Sequence, residues 1–234
     1  MLRAADYLEN DKILTLLTAE RGRLTVGIKG VKKAGAKLKF AAQPFCFAEY
    51  ILAERGGRYT VIQASECESF YELRADVEKY YAACAVCETA LALTYEGDGE
   101  SGLFSDCVKA LSAMCAGDCP SELISFLLTV LKMVGYGINT GVCHVCGKEL
   151  TGEGKIRFDM DSGAFCHWDC GAGAGTGGDT FRVLVAAESG KNLPADNSFN
   201  IKEGQKRALK LLKEYLSYKT DAKCLSLSEY IKLI

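Results

Sequence analysis

No apolar run in this 234-residue chain reaches the length needed to cross a membrane. The first residues carry no signal-peptide core, so a secreted or membrane-inserted protein is not expected. Histidine is nearly missing. The two that occur, His144 and His167, both sit inside close cysteine pairs, which leaves no histidine elsewhere to act as a general base. There is also no nucleophile motif and no Walker lysine, and these absences together argue against an enzyme. Charge of one sign is not in excess either: the formal net charge is −2. By itself that argues against a nucleic-acid binder.

Cysteine, by contrast, is plentiful, with twelve in the chain. Without a secretion signal they are not expected to form a disulfide scaffold, and the expected compartment is a reducing cytoplasm. Eight of them (Cys46, Cys67, Cys84, Cys87, Cys107, Cys115, Cys119 and Cys224) fall mostly among Ala, Leu and Tyr and read as small buried hydrophobes. Cys84 and Cys87 have redox-pair spacing but lie in the middle of an expected helix, where nothing lowers a thiol pKa.

The other four form two pairs. Cys143-His144-Val145-Cys146 and Cys166-His167-Trp168-Asp169-Cys170 flank a polar hairpin containing Asp161-Ser162-Gly163. Two such pairs, each in a tight turn and followed by Gly147 or Gly171, supply the four ligands of a tetrahedral zinc ion. The expected ligands are Cys143, Cys146, Cys166 and Cys170. The second pair has three intervening residues where two are usual, so His144 or His167 could replace a cysteine. The competing reading is four buried free thiols. A closed four-ligand site leaves no open position for water, so the expected role of the zinc is structural.

The even net charge conceals segregation. From Arg21 to Lys39 there are seven cations (Arg21, Arg23, Lys29, Lys32, Lys33, Lys37 and Lys39) and no acid. The middle of the chain is acidic. Lys202, Lys206, Arg207, Lys210 and Lys213 make the end basic again, either as a wider basic surface or as a solvated helix face. The first basic stretch lies in a β-rich part. Alternation marks strands at 12–18, 24–29, 45–54 and 59–64, with a short strand at 1–4 and a Gly56-Gly57 hairpin. Short strands in that number, followed by helices, suggest a small closed barrel of the oligonucleotide-binding (OB) type. The connection 30–40, with Gly30 and Gly35 for flexibility and lysines without local counter-charge, is suited to tracking a phosphate backbone. Phe40, Phe45 and Tyr59 are candidate stacking faces.

From Ser69 the period becomes helical. One long amphipathic helix is expected through Leu91, a loop at 96–100, then helices at 103–115 and from Pro120, ended by Gly135 and Gly137. Gly173, Gly175 and Gly178 satisfy a formal G-x-G-x-x-G. They follow a metal turn rather than a buried strand, so a flexible linker is expected. Asp159-Met160-Asp161 resembles the start of a calcium loop but lacks its closing Glu. A last helix is expected at 203–218.

Five stretches together resemble the RecO family of bacterial DNA repair proteins: Asp6 to Thr18 with Gly22 and Lys29-Gly30; Gln43-Pro44-Phe45; Glu68-Ser69-Phe70 with Leu73-Arg74; Leu131, Gly135-Tyr136 and Cys143-x-x-Cys146-Gly147; and Leu212, Tyr215-Leu216 and Tyr218. The resemblance implies an α+β multidomain protein: an N-terminal OB-fold β-barrel, then an α-helical domain with an embedded zinc-finger-like module. The expected divisions are 1–66, 67–142, 143–170 and 171–234. It implies a non-enzymatic recombination mediator of the bacterial cytoplasm and nucleoid, without membrane association. Such a mediator binds single- and double-stranded DNA, anneals complementary strands and helps load RecA on strands coated by single-strand-binding protein (SSB). RecR and the SSB C-terminal tail would be its partners. The family's DNA-contacting loop corresponds to Lys29, Lys32, Lys33, Lys37 and Lys39, with Arg21 and Arg23 nearby. Two departures stand out: the first strand is short, and the second cysteine pair is one residue wider. The alternative is an adaptor that binds partner tails with little DNA affinity of its own.

Overall fold

The structure is a computed structural model and describes residues 1–97, 102–152, 155–190 and 200–234. The loop expected at 96–100 falls largely outside the described residues. The chain forms two compact units, Met1–Gly117 and Asp118–Ile234. Among the described residues, no helix is long and apolar enough to cross a membrane.

The first unit begins with β1 (Arg3–Tyr7), β2 (Asp11–Thr18), β3 (Gly22–Ile28), β4 (Phe47–Arg55) and β5 (Arg58–Glu68). They form one sheet in the order β1-β2-β3-β5-β4, antiparallel except for the parallel β3–β5 pair. Alternation sets the buried face. Leu14 and Leu16 of β2 lie opposite Val26 and Leu24 of β3. With Ile28 and Val61 they form a core that Val31, Ala41 and Ala42 cap. This is OB-like, but the expected closure is not made: no β1–β4 ladder exists among the described residues. Near the gap the Met1 amino group donates to the Cys46 carbonyl at 2.9 Å. A cavity of about 650 Å³ opens there, lined by Leu2, Leu17, Phe47, Phe104 and Leu111 among others.

The long helix expected from Ser69 is two: α1 (Tyr71–Ala75) and α2 (Val77–Leu93). Asp76 leaves helical geometry and caps α2, its side chain accepting from the Lys79 N–H. The hydrophobic period runs through the break, which hides it. α3 (Leu103–Ala116) completes the unit.

The second unit contains α4 (Cys119–Met133), β6 (Ile156–Asp159), β7 (Ala164–His167), β8 (Ala174–Thr176), α5 (Gly178–Ser189), α6 (Ile201–Thr220) and α7 (Leu225–Leu233). Asp118 caps α4 and Asn200 caps α6. The strands form an antiparallel sheet, β7-β6-β8. Phe158 and Phe165, opposite each other on β6 and β7, stack against Tyr215 of α6 and Phe181 of α5 at 4.9–5.3 Å. The cysteine module is thereby built into the helical core. The glycine stretch expected as a flexible linker is instead β8 and the start of α5. A Cβ on Gly173 would lie 2.5 Å from the Phe158 carbonyl oxygen, and one on Gly178 would lie 2.4 Å from that of Gly152. These glycines permit close backbone packing.

Candidate metal centre and nucleic-acid interface

Residues 143–148 form a tight turn. Gly147, at φ +72°, donates to the Cys143 carbonyl at 2.8 Å, and the Cys143 N–H bonds to the Lys148 carbonyl. A second turn follows β7, closed by the Cys170 N–H on the His167 carbonyl at 3.1 Å. The turns bring Cys143, Cys146, His167 and Cys170 together, with one ligand atom from each all within 4.8 Å of one another. Cys146 Sγ and Cys170 Sγ lie 3.4 and 3.7 Å from His167 Nδ1. Bonds of about 2.3 Å to sulfur and about 2.0 Å to nitrogen give tetrahedral edges of roughly 3.5–3.8 Å. The four groups therefore fit a four-coordinate metal ion.

Cys166, expected as a ligand, is not in this group. Adjacent residues of a strand point to opposite faces, so Cys166 and His167 of β7 cannot both face the other three. Cys166 is fully buried, opposite Arg157, with its thiol toward the Ala172 carbonyl at 3.8 Å. Counting from His167 gives His-x-x-Cys, which accounts for the apparent extra residue in the second pair. His144 is exposed and outside the group. Burial opposes charge on Cys143, but N–H groups of Cys146, His167 and Val145 turn toward its sulfur and bring its pKa down to about 6. Cys170 goes up to about 11, through its hydrogen bond with the Cys146 sulfur and through burial. Burial, then the nearby Cys143 sulfur, raises Cys166.

The basic stretch divides. Arg21 and Arg23 lie at the start of β3 and the lysines beyond its end. Seven residues at about 3.3 Å each separate them by roughly 20 Å. Arg23 is committed to structure: it donates to the Leu91 carbonyl at 2.9 Å and lies 6.0 Å from the centre of the Tyr95 ring. Arg21 donates to the Tyr59 hydroxyl at 3.3 Å.

The lysine connection is ordered. Backbone bonds 33→30, 36→33 and 39→36 run along it at 3.1–3.2 Å, Asp11 anchors the Gly30 N–H at 2.7 Å, and Val31 is buried. Lys32 does have a counter-charge, Asp6 of β1, at 2.9 Å. Lys29, Lys33, Lys37 and Lys39 are exposed and make no ion pair among the described residues. The expected stacking faces are not free: Phe45 is buried against Tyr80, and Phe40 and Tyr59 pack on the sheet core. Arg55 and Arg58 flank the Gly56-Gly57 hairpin. They face each other across the β4–β5 turn, and the parallel pairing of Tyr59 with Val26 sets that turn at the Arg21 end of β3. Two arginines flanking Gly56-Gly57 are the signal that marks them.

An open five-stranded OB-like sheet, followed by a helical part that carries a Cys₃His cluster able to hold a metal ion, is an α+β architecture of several parts. Comparison with known families makes this specific. The family model described as recombination protein O N terminal matches residues 1–70, and that described as recombination protein O C terminal matches residues 74–227. The chain belongs to the RecO family of DNA repair proteins. It is 32% identical over 171 residues to the DNA repair protein RecO of Desulforamulus reducens, covering 73% of this chain and 66% of that one. With that of Clostridium novyi it is 29% identical over 189 residues, covering 80% and 71%. With that of Anaeromyxobacter sp. it is 33% identical over 170 residues, covering 71% and 66%. The matched part thus spans about two thirds of the length of these relatives.

Proposed function

We propose that this chain is a recombination mediator that acts by binding rather than by bond-making. It holds single- and double-stranded DNA and anneals complementary strands. With RecR, it helps RecA onto SSB-coated strands, engaging the acidic SSB tail. The observation that carries this reading is the hydrogen-bonded lysine connection, with Lys29, Lys33, Lys37 and Lys39 exposed and in no ion pair among the described residues. Cations fixed by backbone turns lower the repulsion between two phosphate backbones and release counterions on contact. Lys32 contributes less because Asp6 shares it. Arg21, with Arg55 and Arg58, forms a second phosphate contact at the other end of β3, and Arg23 supports it from behind.

The metal is zinc, held by Cys143, Cys146, His167 and Cys170 in a closed structural site. When bound it supplies a cross-link between two turns, and the thiolates and His167 orient those turns. The functional segments are 1–66 for DNA, 143–170 for zinc, and 67–142 with 171–234 as the helical body that meets protein partners. The setting is the bacterial cytoplasm, at the nucleoid.

The test is fluorescence anisotropy of a labelled single-stranded oligonucleotide across a salt series. Binding weakens steeply with salt, and reversing the charge of one phosphate-bound lysine lowers the slope by about 0.7. Salt-independent binding, or none by a folded protein, contradicts the reading and favours the adaptor that binds partner tails.

A further inference from the structure

The two turns that converge on the metal group each hold one apolar side chain out to solvent. Val145, between Cys143 and Cys146, is 52% exposed, and Trp168, between His167 and Cys170, is 39% exposed. A tryptophan left this open needs a reason, because its ring is the largest apolar surface a side chain can bury.

Its placement is specific. The Trp168 N–H bonds to the Lys155 carbonyl at 3.2 Å, extending the β6–β7 ladder by one residue. The Arg157 guanidinium lies 4.1 Å from the ring centre. Gly175, directly opposite Arg157 on β8, comes so close that a Cβ there would be 3.1 Å from a ring atom. The ring is therefore laid down on the sheet over Arg157 and Gly175, and its outer part is left to solvent. Lys155 Nζ stands 5.5 Å from the ring centre. Arg157 Nε is buried and has no hydrogen-bond partner among the described residues.

We infer that Trp168 is a stacking platform for an unpaired base of single-stranded DNA, with Arg157 backing the ring and Lys155 receiving the adjacent phosphate. This rests on the DNA-binding reading above but assigns a contact in the second unit, separate from the lysine connection. The chemistry fits one occupant. An aromatic ring backed by a guanidinium offers a flat face to any base, and the exposed Lys155 beside it suits a phosphodiester rather than an apolar peptide. In duplex DNA the base faces are already stacked, so the platform selects single strands. Asp169 is the acid of this turn and opposes the phosphate.

Trp168 is the sole tryptophan of the chain, so emission excited beyond the absorption of the eleven tyrosines reports on this site alone. Titrating the metal-loaded protein with unlabelled oligo(dT) quenches the emission, saturating together with anisotropy of a labelled strand. Trp168→Leu, checked for fold by circular dichroism and for metal content, binds the labelled strand about tenfold more weakly. Trp168→Phe restores most of the loss, and Asp169→Asn tightens binding. If anisotropy rises while Trp168 emission is unchanged and Trp168→Leu binds like the parent, the platform is refuted and the DNA-binding reading stands. If neither signal changes, both fail.

Discussion

The choice between Cys166 and His167 decides how the metal module works. The two are neighbours on a strand, so the backbone allows one of them, not both, to face Cys143, Cys146 and Cys170. His167→Ala, Cys143→Ser, Cys146→Ser and Cys170→Ser each lose the bound metal, whereas Cys166→Ser retains it at one ion per chain, as read by elemental analysis of the purified protein. The reverse pattern for positions 166 and 167 would return the ligand set to four cysteines. The pairs themselves are legible in the sequence, because close spacing is a local property. The partner choice is not, because it depends on where β7 ends. Proton competition follows. Cys143 has its pKa lowered to about 6, below its ordinary value, so its charged form is present above that pH and is lost as the pH falls through it. Because the ligands bind as thiolates and neutral imidazole, acid competes with the metal, which is retained at neutral pH and released as the pH falls below neutral, taking with it the stability it confers. Dye-detected metal release against pH checks this; retention far below that range would contradict it.

The glycines at element boundaries behave in opposite ways, and local composition does not separate them. Both Gly35 and the run from Gly171 to Gly178 read as flexible. A methyl group on Gly35 would meet nothing within 4 Å, whereas one on Gly178 would lie 2.4 Å from the Gly152 carbonyl oxygen. Gly178→Ala destabilises the second unit by about 1–3 kcal/mol, while Gly35→Ala is neutral or stabilising by up to about 1 kcal/mol. Denaturant unfolding of both variants checks the contrast. The strands β2 to β5 are legible because alternation follows from a half-buried sheet. β8 is hidden because three residues, Ala-Gly-Thr, carry no alternation. The break at Asp76 is hidden by a continuous apolar period, and α7 by its short length, although Leu227 and Tyr230 are fully buried. At the end of the chain, Lys213 reaches the Ser228 hydroxyl of α7, Lys206 reaches the Ile234 carbonyl beyond it, and Arg207 pairs with Glu203. That basic stretch is largely occupied with its own fold.

At the scale of the whole molecule, the net charge of −2 averages over a segregated distribution, with five lysines gathered on the connection from Lys29 to Lys39. That connection can be found from the sequence as a run without acids. The pairing of Lys32 with Asp6 cannot, since it depends on how β1 pairs with β2 and where β3 ends. The most direct measurement is the rate at which complementary oligonucleotides anneal, with the metal-loaded protein and with a Lys33→Glu, Lys37→Glu, Lys39→Glu variant of equal thermal stability. The account predicts strong acceleration by the parent protein that fades with added salt, and a loss of at least about tenfold in the variant. Equal acceleration by both proteins would remove the lysine connection from the mechanism, and no acceleration by a folded, metal-loaded parent would contradict the annealing function itself.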